Sequence, residues 1–407
     1  MLLEIENFRS IRKQSLELKP LTVVYGPNGA GKSSLIYALL TLKNIVLNSN
    51  QLSDGFFNYG IASLGTFDAV VFNHDSKTQV RIKIELPEVA KAVAYSVGIS
   101  KTQAHLELSA GAPYNFTLSL NPALPYAANQ QVPHAYKLSS GVINITWNGF
   151  LAQALSGLTD AEGKALVQRL NSCVEAIRHI DLVPLKRGFM KPSYSIVGQT
   201  PLLITEDEVA TYLANNKYVR GKVSYYLEQV LDRSFNVGFT PGTAIFSLDS
   251  TDRRCGVSTE LINDGFGVNQ LVYLLAKVLN PEATTLCIEE PEINLHPSAI
   301  RRLAHLLIAI TKEEDKQFVI STHSEPFVLA LLTLVKNDKL QPADLGCYLT
   351  EKRGRETIFT AQTVEKNGQI SGGLRSFMEG ELEDLKEFFG LTDEARDELE
   401  DRKPASG

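Results

Sequence analysis

Leu21 to Leu42 reads LTVVYGPNGAGKSSLIYALLTL, and the order of its parts decides the fold. Leu21 to Tyr25 is a short apolar, β-branched run that reads as a buried strand. Gly26 to Ser33, GPNGAGKS, matches G-x-x-x-x-G-K-[ST] at every fixed position. From Ser34 onward Leu35, Ala38, Leu39 and Leu42 recur at helical spacing on one side. Strand, glycine loop and helix in this order are the context in which such a loop holds phosphate. Gly26, Gly29 and Gly31 let the backbone curl, which turns successive amides of Asn28, Gly29, Ala30, Gly31, Lys32, Ser33 and Ser34 toward phosphate oxygens. The helix N-terminus adds its dipole; Lys32 is placed for the β- and γ-phosphates and the Ser33 hydroxyl for Mg²⁺. The expectation is a nucleoside triphosphate site.

Farther along, Thr285 to Ile288 (TLCI) reads as a buried strand running into Glu289-Glu290-Pro291-Glu292. Carboxylates at the end of a buried strand are costly unless a cation meets them, and a metal-bound triphosphate supplies one. Strand alternation sends Glu289 and Glu290 different ways, one toward Mg²⁺ and one toward an attacking water. Gln317 to Ile320 is another strand, ending in Ser321-Thr322-His323-Ser324, and His323 falls where open α/β sheets place ligands. Between these blocks Asn263, Asp264, Gly265 and Gly267 form a turn feeding a helix that buries Leu271, Leu274, Leu275 and Val278. A glycine turn at a helix start is an anion site by geometry.

The N-terminal LLEIEN and Ser15 to Leu18 read as paired strands, with Arg9, Arg12 and Lys13 on a solvated hairpin between them. Phe67 to Phe72, Thr78 to Leu86, Ala92 to Ile99, Ala104 to Leu108, Phe116 to Leu120 and Val142 to Trp147 read as strands of an antiparallel region. A helix capped by Thr159 and Asp160 follows, then a strand at Ile180 to Pro184. LKRGFMKPSY, with Lys186, Arg187 and Lys191, reads as a surface loop. Glu206 to Leu231 is helical, Ala244 to Leu248 and Gly256 to Ile262 are short strands, and Leu345 to Thr350 and Glu356 to Val364 are two more.

The composition is that of a globular protein, 44% hydrophobic and 21% charged over 407 residues. No apolar run approaches the ~20 residues of a membrane span, and MLLEIENFRS lacks the order of a signal peptide. Four well-separated cysteines (Cys173, Cys255, Cys287, Cys347) form no CxxC pair and suit a reducing cytoplasm. A net charge of −6 gives no global attraction to nucleic acid, so any DNA contact must be local.

GPNGAGKSSL, NDGFGVNQLVYLL, TLCIEEPEINLHP and FVISTHSEPFV together resemble the ABC-type ATPase head of the SMC/RecF/OLD-like superfamily, in the family's order. LGTFDAVVFNHD and the PLKR segment are similar to blocks of OLD-like ATPases that lack a nuclease domain. The resemblance implies one α/β head over 1–407: a mixed-sheet nucleotide-binding core (1–48 and 263–378), an antiparallel β-lobe (60–150), a helical insertion (151–262) and an acidic C-terminal helix and tail (379–407). It implies ATP as the ligand, Lys32 and Ser33 as the Walker A pair, Glu289 as the Walker B acid on Mg²⁺, Glu290 as catalytic base and His323 as switch histidine. It also places the Asp264–Gly267 turn against ATP bound to a second copy, hence a homodimer or higher homo-oligomer, with a nuclease or other effector, or DNA, as a possible partner. Asn73 or His74 stands where the family has a glutamine. The alternative is the nucleotide-binding subunit of a transporter, but that calls for LSGGQ where this chain has NDGFG.

Overall fold

A computed structural model describes residues 1–86, 92–138, 141–156 and 161–373. The acidic helix and tail expected over 379–407, and the Thr159–Asp160 cap, lie outside the described residues.

The chain opens with an antiparallel hairpin, β1 (Leu2–Phe8) and β2 (Ile11–Glu17). β3 (Leu21–Tyr25) follows, every residue buried, and delivers the glycine loop to α1 (Lys32–Leu47). Phe67 to Val70, strand-like in sequence, is instead the single turn α2 (Phe67–Val70). Its first amide donates to Asp54 at 2.7 Å, and Phe67 and Val70, three apart, both enter the core. β4 (Val80–Leu86), β5 (Val93–Ile99), β6 (Ala104–Ala110) and β7 (Phe116–Leu120) form the expected meander. Because β1 pairs with β4, the order is β2-β1-β4-β5-β6-β7, and the N-terminal hairpin joins this lobe, whereas the sequence places 1–48 in the core. A three-stranded sheet of β8 (Val132–Leu138), β9 (Gly141–Trp147) and β10 (Ala152–Ser156) sits beside it.

α3 (Ala161–Arg178) buries Leu166, Leu170, Val174 and Ile177 against the same core as α1, and β11 (Ile180–Val183) returns to the central sheet. After β12 (Tyr194–Ser195), a Thr205–Glu208 capping box starts α4 (Glu206–Asn215). Asn216 ends it and caps α5 (Lys217–Leu231) through its side chain, which splits the long helical stretch in two. The insertion is not wholly helical: β13 (Arg233–Phe239), β14 (Ile245–Asp252) and β15 (Ser258–Glu260) join β12 in an antiparallel sheet, with β13 packed on α5.

The remaining elements are α6 (Phe266–Val278), β16 (Thr285–Glu289), α7 (Pro297–Glu313), β17 (Gln317–Thr322), α8 (Glu325–Lys336), β18 (Leu345–Arg353) and β19 (Glu356–Ala361). They complete a sheet in the order β11-β16-β17-β3-β18-β19, parallel except for β19 at the edge. Side-chain alternation splits its two faces between two cores. Val23, Leu286, Ile288, Phe318 and Ile320 pack with α4 to α8, while Val24, Cys287 and Val319 pack with α1, α3 and the lobe. Tyr25 pairs with Thr322, and Glu289 with Ser321, so the carboxyl ends of β3, β16 and β17 meet at one edge. No helix among the described residues is long and apolar enough to cross a membrane.

Candidate functional site

Gly26, Gly29 and Gly31 take φ values of 145°, 76° and 102°, the region that favours glycine. Space imposes the same choice twice. A Cβ on Gly26 would lie 2.3 Å from the Thr350 carbonyl oxygen, and one on Gly31 2.3 Å from Thr357 Oγ1. The edge strands therefore clasp the loop: Thr357 Oγ1 donates to the Ala30 carbonyl at 2.8 Å and lies 2.7 Å from Ser10 Oγ. Lys32, 8% exposed, donates from Nζ to the Gly26 and Pro27 carbonyls at 2.9 and 3.0 Å. Burial lowers its pKa, and the nearby Glu290 and Glu292 carboxylates oppose that shift.

At the end of β16 Glu289 is buried, and its carboxylate accepts from the Leu185 amide at 3.4 Å. Glu290 has φ of 44°, a left-handed conformation that a non-glycine residue adopts only when its surroundings hold it. Two bonds hold it. Its amide donates to the Ser321 carbonyl at 2.8 Å, and Arg187 Nη2 donates to its carbonyl at 2.8 Å. Arg187 Nη1 also donates to the Glu289 and Pro184 carbonyls, at 2.8 and 3.0 Å. The Glu290 carboxylate meets His323 Nδ1 at 2.9 Å. Behind them Glu292 is buried and accepts from the Thr322 hydroxyl.

Asn28, Gly29, Gly31, Lys32, Ser33, Ser34, Glu289 and Glu290 line one cavity of about 290 Å³. Pure alternation would separate the two glutamates; the left-handed turn at Glu290 brings both to the same space. His323 joins through Glu290. Ala30 is not among the lining residues, and its carbonyl is taken by Thr357. Asp264, Gly265 and Gly267 do not reach this cavity either. Asp264 accepts from Ser250 and Arg233, Gly265 caps α6, and a Cβ on Gly267 would come within 2.5 Å of the Asn294 carbonyl oxygen. Asn73 and His74 are also absent from it. The Ser33 hydroxyl and Glu289 carboxylate are hard oxygen donors of the kind Mg²⁺ takes alongside phosphate.

Several lining or supporting residues escape the sequence reading. Arg9, Ser10 and Lys352 line the cavity, although Arg12 and Lys13 are solvated as expected, pairing with Glu356 and Glu6. The LKRGFMKPSY stretch is not a plain surface loop: Arg187, Phe189 and Tyr194 are buried. Desolvation lowers the Arg187 pKa to about 10 against the attraction of three glutamates. The available signal was an arginine two residues before a large aromatic, just after a core strand.

Residues 2–173 match the family described as AAA domain and residues 206–328 the one described as AAA ATPase domain. The chain is similar to the OLD nuclease of Thermus scotoductus, 23% identical over 353 residues, which are 83% of this chain and 62% of that protein. It thus spans less than two thirds of that relative's length. Among solved structures it resembles an Smc head bound to the C-terminal winged-helix domain of ScpA, with a TM-score of 0.51 and 13% identity, over 90% of this chain and 98% of that one. These matches do not favour the transporter subunit. Both matching family descriptions are of AAA-type domains, and the fold is similar to that of an Smc head.

Proposed function

We propose that this chain binds ATP with Mg²⁺ and hydrolyses it, acting as an ATP-gated homodimeric switch for a partner effector in DNA maintenance or antiviral defence. The observation that carries the reading is the Glu290–His323 contact of 2.9 Å, on a cavity that Glu290 shares with Lys32 and Ser33. Asn28 to Ser34 supply the amides for the phosphates, and the Lys32 ammonium, now resting on two loop carbonyls, turns to the β- and γ-phosphates. Ser33 and Glu289 would hold Mg²⁺, which would supply charge neutralisation for the transferring phosphoryl group. Glu290 accepts the proton of the attacking water, and His323 orients that carboxylate and faces the γ-phosphate. Arg187 holds the backbone of both glutamates.

The dimer rests on the Asp264–Gly267 turn, which is away from its own chain's cavity and carries the 66% exposed Phe266. A partner effector enters because the OLD relative is a nuclease and the Smc head is bound to ScpA. One paired experiment tests the reading. Glu290→Gln should cut turnover by about 10² or more while keeping ATP binding and an ATP-dependent dimer. Lys32→Ala should lose nucleotide binding. Normal turnover in the glutamine variant overturns the base assignment, and unchanged affinity in the alanine variant overturns the loop.

A further inference from the structure

A second cavity, of about 350 Å³, lies beyond the far end of α1 and shares no lining residue with the first. Lys43 is eleven residues after Lys32 on α1, roughly 16 Å along the helix. The walls come from α1, the 58–61 loop, β11, the 202–204 loop and α6. They are mainly apolar: Leu40, Leu47, Ile61 and Ile204 line it, and the last three are exposed at its mouth. A pocket of this size with a few converging polar groups is the usual form of a small-molecule site.

Those polar groups are unevenly satisfied. The buried Lys277 is fully engaged, 2.7 Å from Asp181 and donating to the Leu202 and Leu203 carbonyls. Lys43 donates to one backbone carbonyl, that of Ile180, which leaves two of its three N–H donors unused. The Tyr273 hydroxyl, on the same cavity, makes no hydrogen bond among the described residues. Two lysines and one aspartate therefore leave one positive charge uncompensated in an apolar wall. Burial pushes the Lys43 pKa down to about 8, as such a wall should.

We propose that this cavity is a binding site for a small apolar carboxylic acid, its carboxylate received by Lys43 and the Tyr273 hydroxyl and its body lying against Leu40, Leu47, Ile61 and Ile204. One monoanion cancels the excess charge and uses the idle donors. A neutral ligand does neither. Because the cavity joins α1, which begins at the glycine loop, to α6, which begins at the Asp264–Gly267 turn, an occupant bears on both ends of the proposed switch.

The test is calorimetric titration of 4-phenylbutyrate and its uncharged amide into the full chain without nucleotide, so that it does not depend on the ATPase reading. The acid should bind about tenfold tighter than the amide. Lys43→Met should remove that preference, and Ile61→Trp, which fills the mouth and leaves Lys43 intact, should block both; melting temperatures check that each variant folds. Equal binding of acid and amide, binding of neither, or an acid preference that survives Lys43→Met would overturn the proposal.

Discussion

The two walls of the candidate site's cavity are held in different ways. The glycine loop is shaped mainly from within: three glycines at positive φ make the curve, and its own carbonyls receive Lys32. The acid wall is shaped from a distance. Arg187, more than a hundred residues before Glu289 in the chain, holds the carbonyls of both acids and stabilises the left-handed backbone at Glu290. A wall made by local conformational freedom tolerates little change in its own residues. A wall made by one buried cation fails when that cation is removed, however intact its own sequence.

Arg187→Met should have the largest effect and should separate the walls. It leaves the Glu289 and Glu290 carbonyls without their donor, at about 1–3 kcal/mol for each buried unsatisfied group. A loss of about 3 kcal/mol in chemical denaturation, with turnover down at least tenfold, is expected. ATP affinity measured on the same protein should hold, because the Arg187 hydrogen bonds go to the Pro184, Glu289 and Glu290 carbonyls and not to the glycine loop. Affinity falling in step with turnover would show that the walls are one unit. Gly31→Ala attacks the other wall. A side chain at φ of 102° costs about 1–2 kcal/mol, and Thr357 must also move away. Nucleotide affinity should drop roughly tenfold, with stability changed less than in Arg187→Met. Titration with a fluorescent ATP analogue reads it.

This division also accounts for what could be read from the chain beforehand. The loop, the strand before it and the helix after it are contiguous, and Leu21 to Leu42 displays all three in one line. The Glu289–Glu290 pair and His323 were legible because each ends a short apolar strand. Arg187 was not, since its burial follows from β11 lying beside β16, a pairing that no local pattern encodes. Thr357 and Lys352 stayed hidden for the same reason: β18 and β19 approach the loop only through the sheet order. The FDAVVF stretch misled because its β-branched composition suggests pairing, whereas Asp54 caps it from a distant turn. In the insertion, β13 was missed although Phe235, Val237 and Phe239 alternate with Asn236 and Gly238, and β14 runs on past the expected end at Leu248; β13 packs against α5.

The smallest predicted change concerns the acid wall's hidden member. Glu292 is buried, one carboxylate oxygen takes the Thr322 hydroxyl and the other has no hydrogen-bond partner among the described residues. Burial raises its pKa, with the Glu290 charge adding to that effect and the Thr322 bond and His323 opposing it. A carboxyl whose folded pKa lies above its unfolded value takes up its proton earlier in the folded chain. Its contribution to stability is therefore fully present below the unfolded pKa and is lost as pH rises through the folded one. Glu292→Gln keeps an acceptor for Thr322 and carries no charge at any pH. It should stabilise the chain by on the order of 1 kcal/mol at pH 8, and the advantage should shrink toward zero as pH falls to about 4.5. Calorimetric melting of both proteins across that range measures the difference. A gap that stays constant with pH would mean the ionised carboxylate is not the source of the cost.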